Sequence, residues 1–574
     1  MSVYQPLPLD AASSQIRMLE ILPSRRASSI IRCRLLCVDL AHLNGDDVPF
    51  EFYEALSYTW GDGSVRVTIK LNGRRTVVTQ NLEAALRRLR ARDFSRYLWV
   101  DALCINQEDV NERNSQVMKM CDIYRHAEQV ILWLGAEANG STEAMRLVMQ
   151  IGEEDVSDSW IRSSMESDVD LDKWEAVAKF FDRPYWRRLW VRQEIALAKD
   201  IIVICGDYAA AWDDLLVGAS SLEVHSDLFD EIAAGVSLYV SGYRRAVAIQ
   251  AMRERIQEGG ADLQDVLFHL RECECIDPRD KVYGGLGMCN EPGIVVNYAL
   301  SAAEVFTDTT VAVIKHTRAL DILSACRGHG SRNLLGLPTW VPDFESDWTA
   351  QKLRHLEGDE QLDSAGGTLP PFYAFNRLQS GRLSLTVRGI AAARVFDACW
   401  AYGDSKAPPP SEVLEQWRIT AETTLKSAVP TLSHGEIRET FWRTIIADED
   451  MNGQRPPDSF LEQTADLVTE DSGHVIPRIH LETGDSTFRM RFLSASASRA
   501  FFATQDKRIG LGPQGTKRGD WVVVLFGAAQ PYVLRRERDH FIMIGEAYVH
   551  GIMNGEVTEL LELGSVQTED FELY

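Results

Sequence analysis

The residues best suited to chemistry lie in a short arginine-rich segment, Trp186-Arg187-Arg188-Leu189-Trp190-Val191-Arg192-Gln193-Glu194-Ile195. Read as one helix at about 100° per residue from Trp186, Trp190 falls at about 40°, Leu197 at about 20° and Glu194 at about 80°. The Glu194 carboxylate thus shares the apolar stripe of two tryptophans and a leucine. A charge carried there is costly unless it is paired or used. Two readings stay open: a structural ion pair with Arg187, which falls at about 100°, and a catalytic carboxylate.

A second group is the turn Ser57-Tyr58-Thr59-Trp60-Gly61-Asp62. Gly61 permits a tight backbone turn. Ser57, Tyr58 and Asp62 are spaced to contact a ligand at the end of a strand, and Trp60 offers a stacking face. The alternative makes Tyr58 and Trp60 core aromatics and Asp62 a turn former. Asp101, Asn106 and Gln107 follow another strand end: Asp101 would hold a ligand hydroxyl or orient a neighbouring loop, and Asn106 would contact ligand or cap the next helix. Arginines cluster at 183, 187, 188 and 192, and again at 87, 88, 90, 92 and 96. Either cluster is a site for a pyrophosphate or acidic partner, or a solvated basic face.

Other chemistry is poorly supplied. Gly284-Gly285-Leu286-Gly287 makes neither a dinucleotide fingerprint nor a phosphate loop, and neither a metalloprotease His pair nor a Gly-x-Ser-x-Gly elbow occurs. The ten cysteines form no CxxC pair, so they read as reduced, mostly buried small hydrophobes rather than zinc ligands.

The surrounding elements alternate. Phe52–Trp60, Tyr97–Val100, Gln129–Leu134 and Ile201–Cys205 are short apolar runs that read as buried strands. Val65–Leu71 and Thr76–Thr79 flank Asn72-Gly73, a hairpin signal. Helices are expected after Asn81 as a cap, from Asp109 with Glu112 completing a capping box, and over about 141–154, 172–182 and 185–199. Buried strands alternating with helices predict a parallel sheet covered on both faces, with ligands outside the strands' carboxyl ends. Four regions follow: a lead-in over 1–49, an α/β domain over 50–210, a helical middle over 211–350, and a mixed, β-rich region over 351–574. Polar loops are expected around 353–370 and at Ala407–Ser411.

Three blocks resemble the fungal heterokaryon-incompatibility (HET) domain: Tyr53–Gly61, Leu98–Gln107 and Trp186–Ile195. Glu112-Arg113, Met120, Tyr124, Ala127 and Trp133-Leu134-Gly135 fit the same pattern. Asp280-Lys281-Val282-Tyr283 and the C-terminal run Gly545–Gly551 resemble blocks of long HET-domain proteins. The resemblance implies a role in fungal non-self recognition ending in programmed cell death. HET domains are similar to TIR domains, which have a flavodoxin-like α/β fold, and some TIR domains cleave NAD at the nicotinamide–ribose bond with a glutamate in a Trp-x-x-x-Glu-[Ile/Leu] motif. Trp190–Ile195 fits that motif, which makes Glu194 the implied catalytic residue. Ser57, Tyr58, Trp60, Gly61, Asp62, Asp101, Asn106, Trp190 and Arg187 then become the implied substrate contacts. Trp60 would stack on nicotinamide or adenine. NAD would be a substrate rather than a cofactor, and no metal is implied. A non-catalytic death-signalling adaptor working through protein contacts is the competing expectation. Self-association and an incompatibility partner protein are expected in either case.

The whole chain bounds these readings. Its 574 residues carry 60 basic and 84 acidic side chains, a formal charge of −24. That balance opposes wholesale binding to nucleic acid. No apolar run approaches the roughly 20 residues of a membrane span, and the N-terminus lacks the apolar core of a secretory signal. A cytoplasmic location is the expectation.

Overall fold

In the computed structural model, the described residues are 3–10, 13–42, 50–153, 156–238, 240–290, 293–326, 336–346, 353, 364–379, 381–450, 453–456 and 486–574. Most of the loop expected at 353–370 lies outside them. Two compact units divide the chain, residues 1–301 and 302–574.

Unit one is built on nine strands: β1 (Gln15–Ile21), β2 (Arg32–Asp39), β3 (Glu54–Tyr58), β4 (Arg66–Leu71), β5 (Arg74–Thr79), β6 (Arg96–Trp99), β7 (Gln129–Trp133), β8 (Ile201–Cys205) and β9 (Tyr208–Ala211). Their order is β5-β4-β2-β1-β6-β3-β7-β8-β9. The four apolar runs form the parallel centre β6-β3-β7-β8. Their side chains are buried on both faces, as in Val130–Trp133, which explains the absence of apolar–polar alternation. The sheet is mixed rather than wholly parallel. β9 pairs antiparallel with β8, and β1 pairs antiparallel with both β2 and β6. The lead-in thus supplies two strands of the sheet. The hairpin forms as expected, with Asn72 and Gly73 both at positive φ (51° and 78°), the backbone that a two-residue turn of this kind demands.

Three local expectations are corrected. Thr79, not Asn81, caps the helix Gln80–Leu89. Asn81 instead donates to the Thr59 carbonyl at 2.7 Å and accepts from the Trp133 indole at 2.9 Å, fastening the turn after β3 to β7. Asp109 does cap the helix Val110–His126, but Glu112 completes no capping box. Its carboxylate turns to Arg17 on β1 at 2.6 Å and accepts the Asn106 backbone N–H at 2.6 Å, and the cap of this helix is Asp109 rather than Asn106.

The third correction is the helix expected over 185–199. Pro184–Arg187 is a 3-10 turn and the α-helix runs only from Trp190 to Ala196. The break has a cause: Arg188 is extended and bridges Glu274, with Glu274 N–H donating to the Arg187 carbonyl at 2.7 Å and Leu189 N–H to the Glu274 carbonyl at 3.0 Å. Trp186 therefore leaves the stripe on which the sequence placed it. It packs against Phe180 and Phe181 instead.

After β9, unit one continues through the helices Trp212–Val224, Ser226–Gly235, Gly242–Glu258 and Leu263–Leu270. Unit two is β-rich, with β10 (Tyr373–Arg377), β11 (Leu383–Ala401), β12 (Arg499–Thr504), β13 (Ile509–Pro513), β14 (Trp521–Leu525), β15 (Pro531–Glu537), β16 (His540–Glu546), β17 (Tyr548–Val549) and β18 (Glu569–Leu573). The long β11 pairs with β14 and with β18. The pairings β14–β15, β15–β16 and β16–β18 close a ring of five strands, which removes free edges. No helix among the described residues is long and apolar enough to cross a membrane. No group of His, Cys, Asp and Glu among them is arranged to hold a metal ion.

A buried carboxyl at the strand ends

The parallel centre places the ends of β3 and β6 at one edge of the sheet, where open α/β sheets bind ligands. Ser57 is buried near the end of β3 and Asp101 opens the short helix Asp101–Cys104 just past β6. The helix Trp190–Ala196 brings Glu194 to the same edge. Two tyrosines complete the cluster: Tyr124 from the helix Val110–His126 and Tyr185 from the 3-10 turn.

Glu194 is only 6% exposed, and its Oε2 has no hydrogen-bond partner. Burial pushes its pKa up to about 7, against the opposing pull of the Arg188 guanidinium and the Ser57 and Tyr124 hydroxyls; the nearby Asp101 charge pushes the same way as burial. The carboxyl is therefore poised to exchange a proton near neutral pH. The surrounding phenols are held strongly protonated. Tyr58, Tyr124 and Tyr185 all lie well above the ordinary tyrosine value, chiefly through burial, with negative charge from Asp101 or Glu194 adding to it. The Ser57 hydroxyl and Tyr185 hydroxyl share a buried hydrogen bond of 2.7 Å.

Of the sequence candidates, Ser57, Tyr58, Asp101 and Glu194 gather in this cluster. Trp60 joins through Asp101: its indole donates to Asp101 Oδ2 at 2.8 Å while the ring stays 40% exposed. Gly61 takes φ 73°, a left-handed conformation that only glycine adopts freely, with Asn81 against its α-carbon. Asp62 is exposed and accepts the Ser64 N–H at 2.8 Å, which shapes the turn.

Arg187 does not pair with Glu194. Its guanidinium faces Asp182 and Glu274, both at 3.8 Å, because the helix break rotates it away. Trp190 spends its indole N–H on Asp280 Oδ2 at 3.1 Å. Asn106 lines a cavity described below.

The structure adds residues the spacing did not single out for the site. Arg188 donates to the Tyr58 carbonyl and is the positive charge facing Glu194. It stood in the sequence as one arginine among four. The other members of that cluster also serve carbonyls: Arg183 binds Leu134 and Ala138, and Arg192 binds Arg245. The cluster ties loops together, and so does much of the earlier one, where Arg87 and Arg90 hold the 26–29 loop. Asp280, from the Asp-Lys-Val-Tyr block, accepts from both Trp190 and the Tyr298 hydroxyl (2.6 Å), and Lys281 is anchored on the Arg271 and Cys273 carbonyls. This segment braces the helix that carries Glu194. The block's position in the sequence was the available signal, but nothing in the chain says which helix it meets.

Two segments of the chain match known family models. Residues 53–194 match the family model described as Heterokaryon incompatibility protein (HET), and residues 440–571 match the Het-6 beta-barrel domain. These matches support a heterokaryon-incompatibility protein.

Among curated proteins the chain is similar to Heterokaryon incompatibility protein 6, OR allele, of Neurospora crassa. The two are 24% identical over 690 aligned positions, which cover 99% of this chain and 97% of that protein. No solved structure matches the chain significantly.

Proposed function

We propose that this chain is a non-self-recognition protein whose N-terminal unit is the death effector, acting by hydrolysis of NAD at the nicotinamide–ribose bond with Glu194 as the catalytic carboxylate. One observation carries the reading: a buried carboxyl with an unpartnered oxygen and a pKa raised to about 7, at the strand ends where α/β sheets bind ligands. The matches to incompatibility proteins over 53–194 and along the whole chain support the biological setting. The similarity of HET domains to TIR domains suggests the substrate.

The chemistry suits the residues. Breaking an N-glycosidic bond develops oxocarbenium character on the ribose, which an ionised Glu194 stabilises. Arg188 favours the ionised form that this role needs. Ser57 would orient the sugar through its hydroxyl. The leaving nicotinamide is neutral and needs no strong acid. Because Glu194 is buried, the Ser57–Gly63 turn, which carries Trp60 and is held by Asp101, must shift before a nucleotide reaches it. Self-association of the effector unit, or an incompatibility partner, would supply that shift.

Purified full-length protein incubated with NAD should release nicotinamide, and Glu194→Gln should abolish release while melting like the wild type. Equal release from Glu194→Gln would remove Glu194 from the mechanism. Killing by Glu194→Gln on expression in fungal cells would favour the contact-only adaptor.

A further inference from the structure

A cavity of about 290 Å³ opens between the N-terminal arm and the helix Val110–His126. Tyr4, Pro8 and Leu9 supply an apolar wall, and Arg17, Asn106, Asp109, Glu112 and Gln116 are among its polar lining. Its volume is at the lower end of what small-ligand sites enclose.

The polar groups are of two kinds. Arg17 and Glu112 are spent on each other. Arg17 is 1% exposed, with Nε donating to the Leu7 carbonyl at 2.9 Å, Nη1 to the Cys104 carbonyl at 3.1 Å and to Glu112 at 2.6 Å, and Nη2 to Glu112 at 2.9 Å. No uncompensated positive charge is left in the lining. Gln116 is the opposite case. It is 1% exposed, and its Nε2 donates to the Gln15 carbonyl at 3.1 Å, which fixes the amide's orientation. Its Oε1 is then a buried acceptor with no partner. An unmet buried acceptor is destabilising, so its presence in a cavity wall points to a donor supplied from outside. At the rim, Asp109 Oδ1 accepts the Asn111 and Glu112 N–H groups as the helix cap, and among the described residues nothing donates to Oδ2.

The lining side chains therefore carry one positive charge against two negative ones, with one buried acceptor lacking a donor, one exposed carboxylate oxygen at the rim and a short apolar wall. That composition repels phosphates and carboxylates. It complements a group with several N–H donors, a positive charge and a few methylenes. We propose that this cavity binds a small organic cation bearing a primary ammonium group, held by Gln116 Oε1 and Asp109 Oδ2 with its aliphatic part along Tyr4, Pro8 and Leu9. The proposal is independent of NAD chemistry at Glu194.

The test uses full-length protein at moderate ionic strength, with 1,4-diaminobutane as the probe and ribose and inorganic phosphate as comparators, followed by titration calorimetry. The diamine should bind saturably, while ribose and phosphate should not. Gln116→Leu should weaken the diamine at least about tenfold, the loss of one hydrogen bond to a charged group. Asp109→Asn keeps a helix cap, since Asn caps as well as Asp, and should weaken it severalfold. Absence of saturable diamine binding overturns the proposal, and so does tighter binding of ribose or phosphate. Wild-type diamine affinity in Asp109→Asn and in a folded Gln116→Leu also overturns it. If Gln116→Leu does not fold, Asp109→Asn decides.

Discussion

Two buried glutamates, one in each unit, each keep one oxygen without a partner, but only one of them has a cation in direct contact. Glu546, at the end of β16, is 5% exposed, and its Oε1 accepts from Arg499 Nη2 at 2.5 Å and from the Leu353 N–H at 3.2 Å. Arg499 opens β12 and is itself buried. Glu194 is equally buried at 6%, yet its Oε2 has no partner and no ion pair reaches it, and the nearest compensating charge, Arg188, is engaged with the Tyr58 carbonyl. The two residues are of the same type at nearly the same exposure. One is neutralised by a direct ion pair, and the other is left with a proton affinity near neutrality. Burial by itself therefore says little about a carboxyl's purpose; what matters is whether the fold supplies a partner.

The largest effect should come from breaking the satisfied pair. Arg499→Leu leaves Glu546 buried without its cation and should cost unit two about 3–5 kcal/mol, measured by hydrogen exchange of the β12 and β16 amides. If the loss is below about 1 kcal/mol, the pair is not what neutralises Glu546 and the contrast fails.

The next largest separates the two glutamates by pH. Glu194 has a folded pKa of about 7 against 4.5 ordinarily. Its favourable protonated state is fully present below the ordinary value and is lost as pH rises toward about 7. Unit one should lose about 3 kcal/mol of stability across that window and no more above it. In Glu194→Gln this slope should vanish, and at pH 7.5 the variant should be at least as stable as the wild type in urea denaturation. A large loss of stability in Glu194→Gln at pH 7.5 would make Glu194 a structural residue like Glu546.

Arg188→Gln sharpens the contrast further. Removing the positive charge that faces Glu194 should move the midpoint of that stability slope upward by about one pH unit. An unmoved midpoint would mean that burial alone sets the value. The smallest effect is expected at the brace: Trp190→Phe removes the donor to Asp280 and should cost about 1 kcal/mol of unit-one stability, with a fall in any nicotinamide release that exceeds the change in folded fraction. Unchanged release would detach the Asp-Lys-Val-Tyr block from the site.

Much of the first unit was legible because its signals are local. Val130–Trp133 is apolar throughout because a strand inside a parallel sheet is buried on both faces, and Asn72-Gly73 announces its turn by the left-handed backbone it tolerates. Glu194 was legible as a carboxyl in an apolar setting, although the reason given was partly wrong. The stripe ran through Trp186, and the helix breaks before it reaches Glu194. Arg187 was misjudged for the same reason, since a change of direction at Arg188 rotates everything before it. Asparagine suits caps, yet the Asn81 side chain is claimed by Thr59 and Trp133 on distant elements, and the helix that Asn106 precedes is capped by Asp109.

The sequence alone determined the strand runs of the sheet centre, the hairpin, and the candidate carboxyl with its Ser57 and Asp101 neighbours at strand ends, because periodicity and turn chemistry act within a few residues. Only the tertiary structure decided that Glu274 breaks the helix, that Arg188 rather than Arg187 faces Glu194, that Asp280 braces Trp190, and that Arg17 consumes Glu112 while Gln116 is left wanting a donor. Each of these is a long-range contact, set by which surfaces the sheet order brings together, and no local pattern in the chain encodes it.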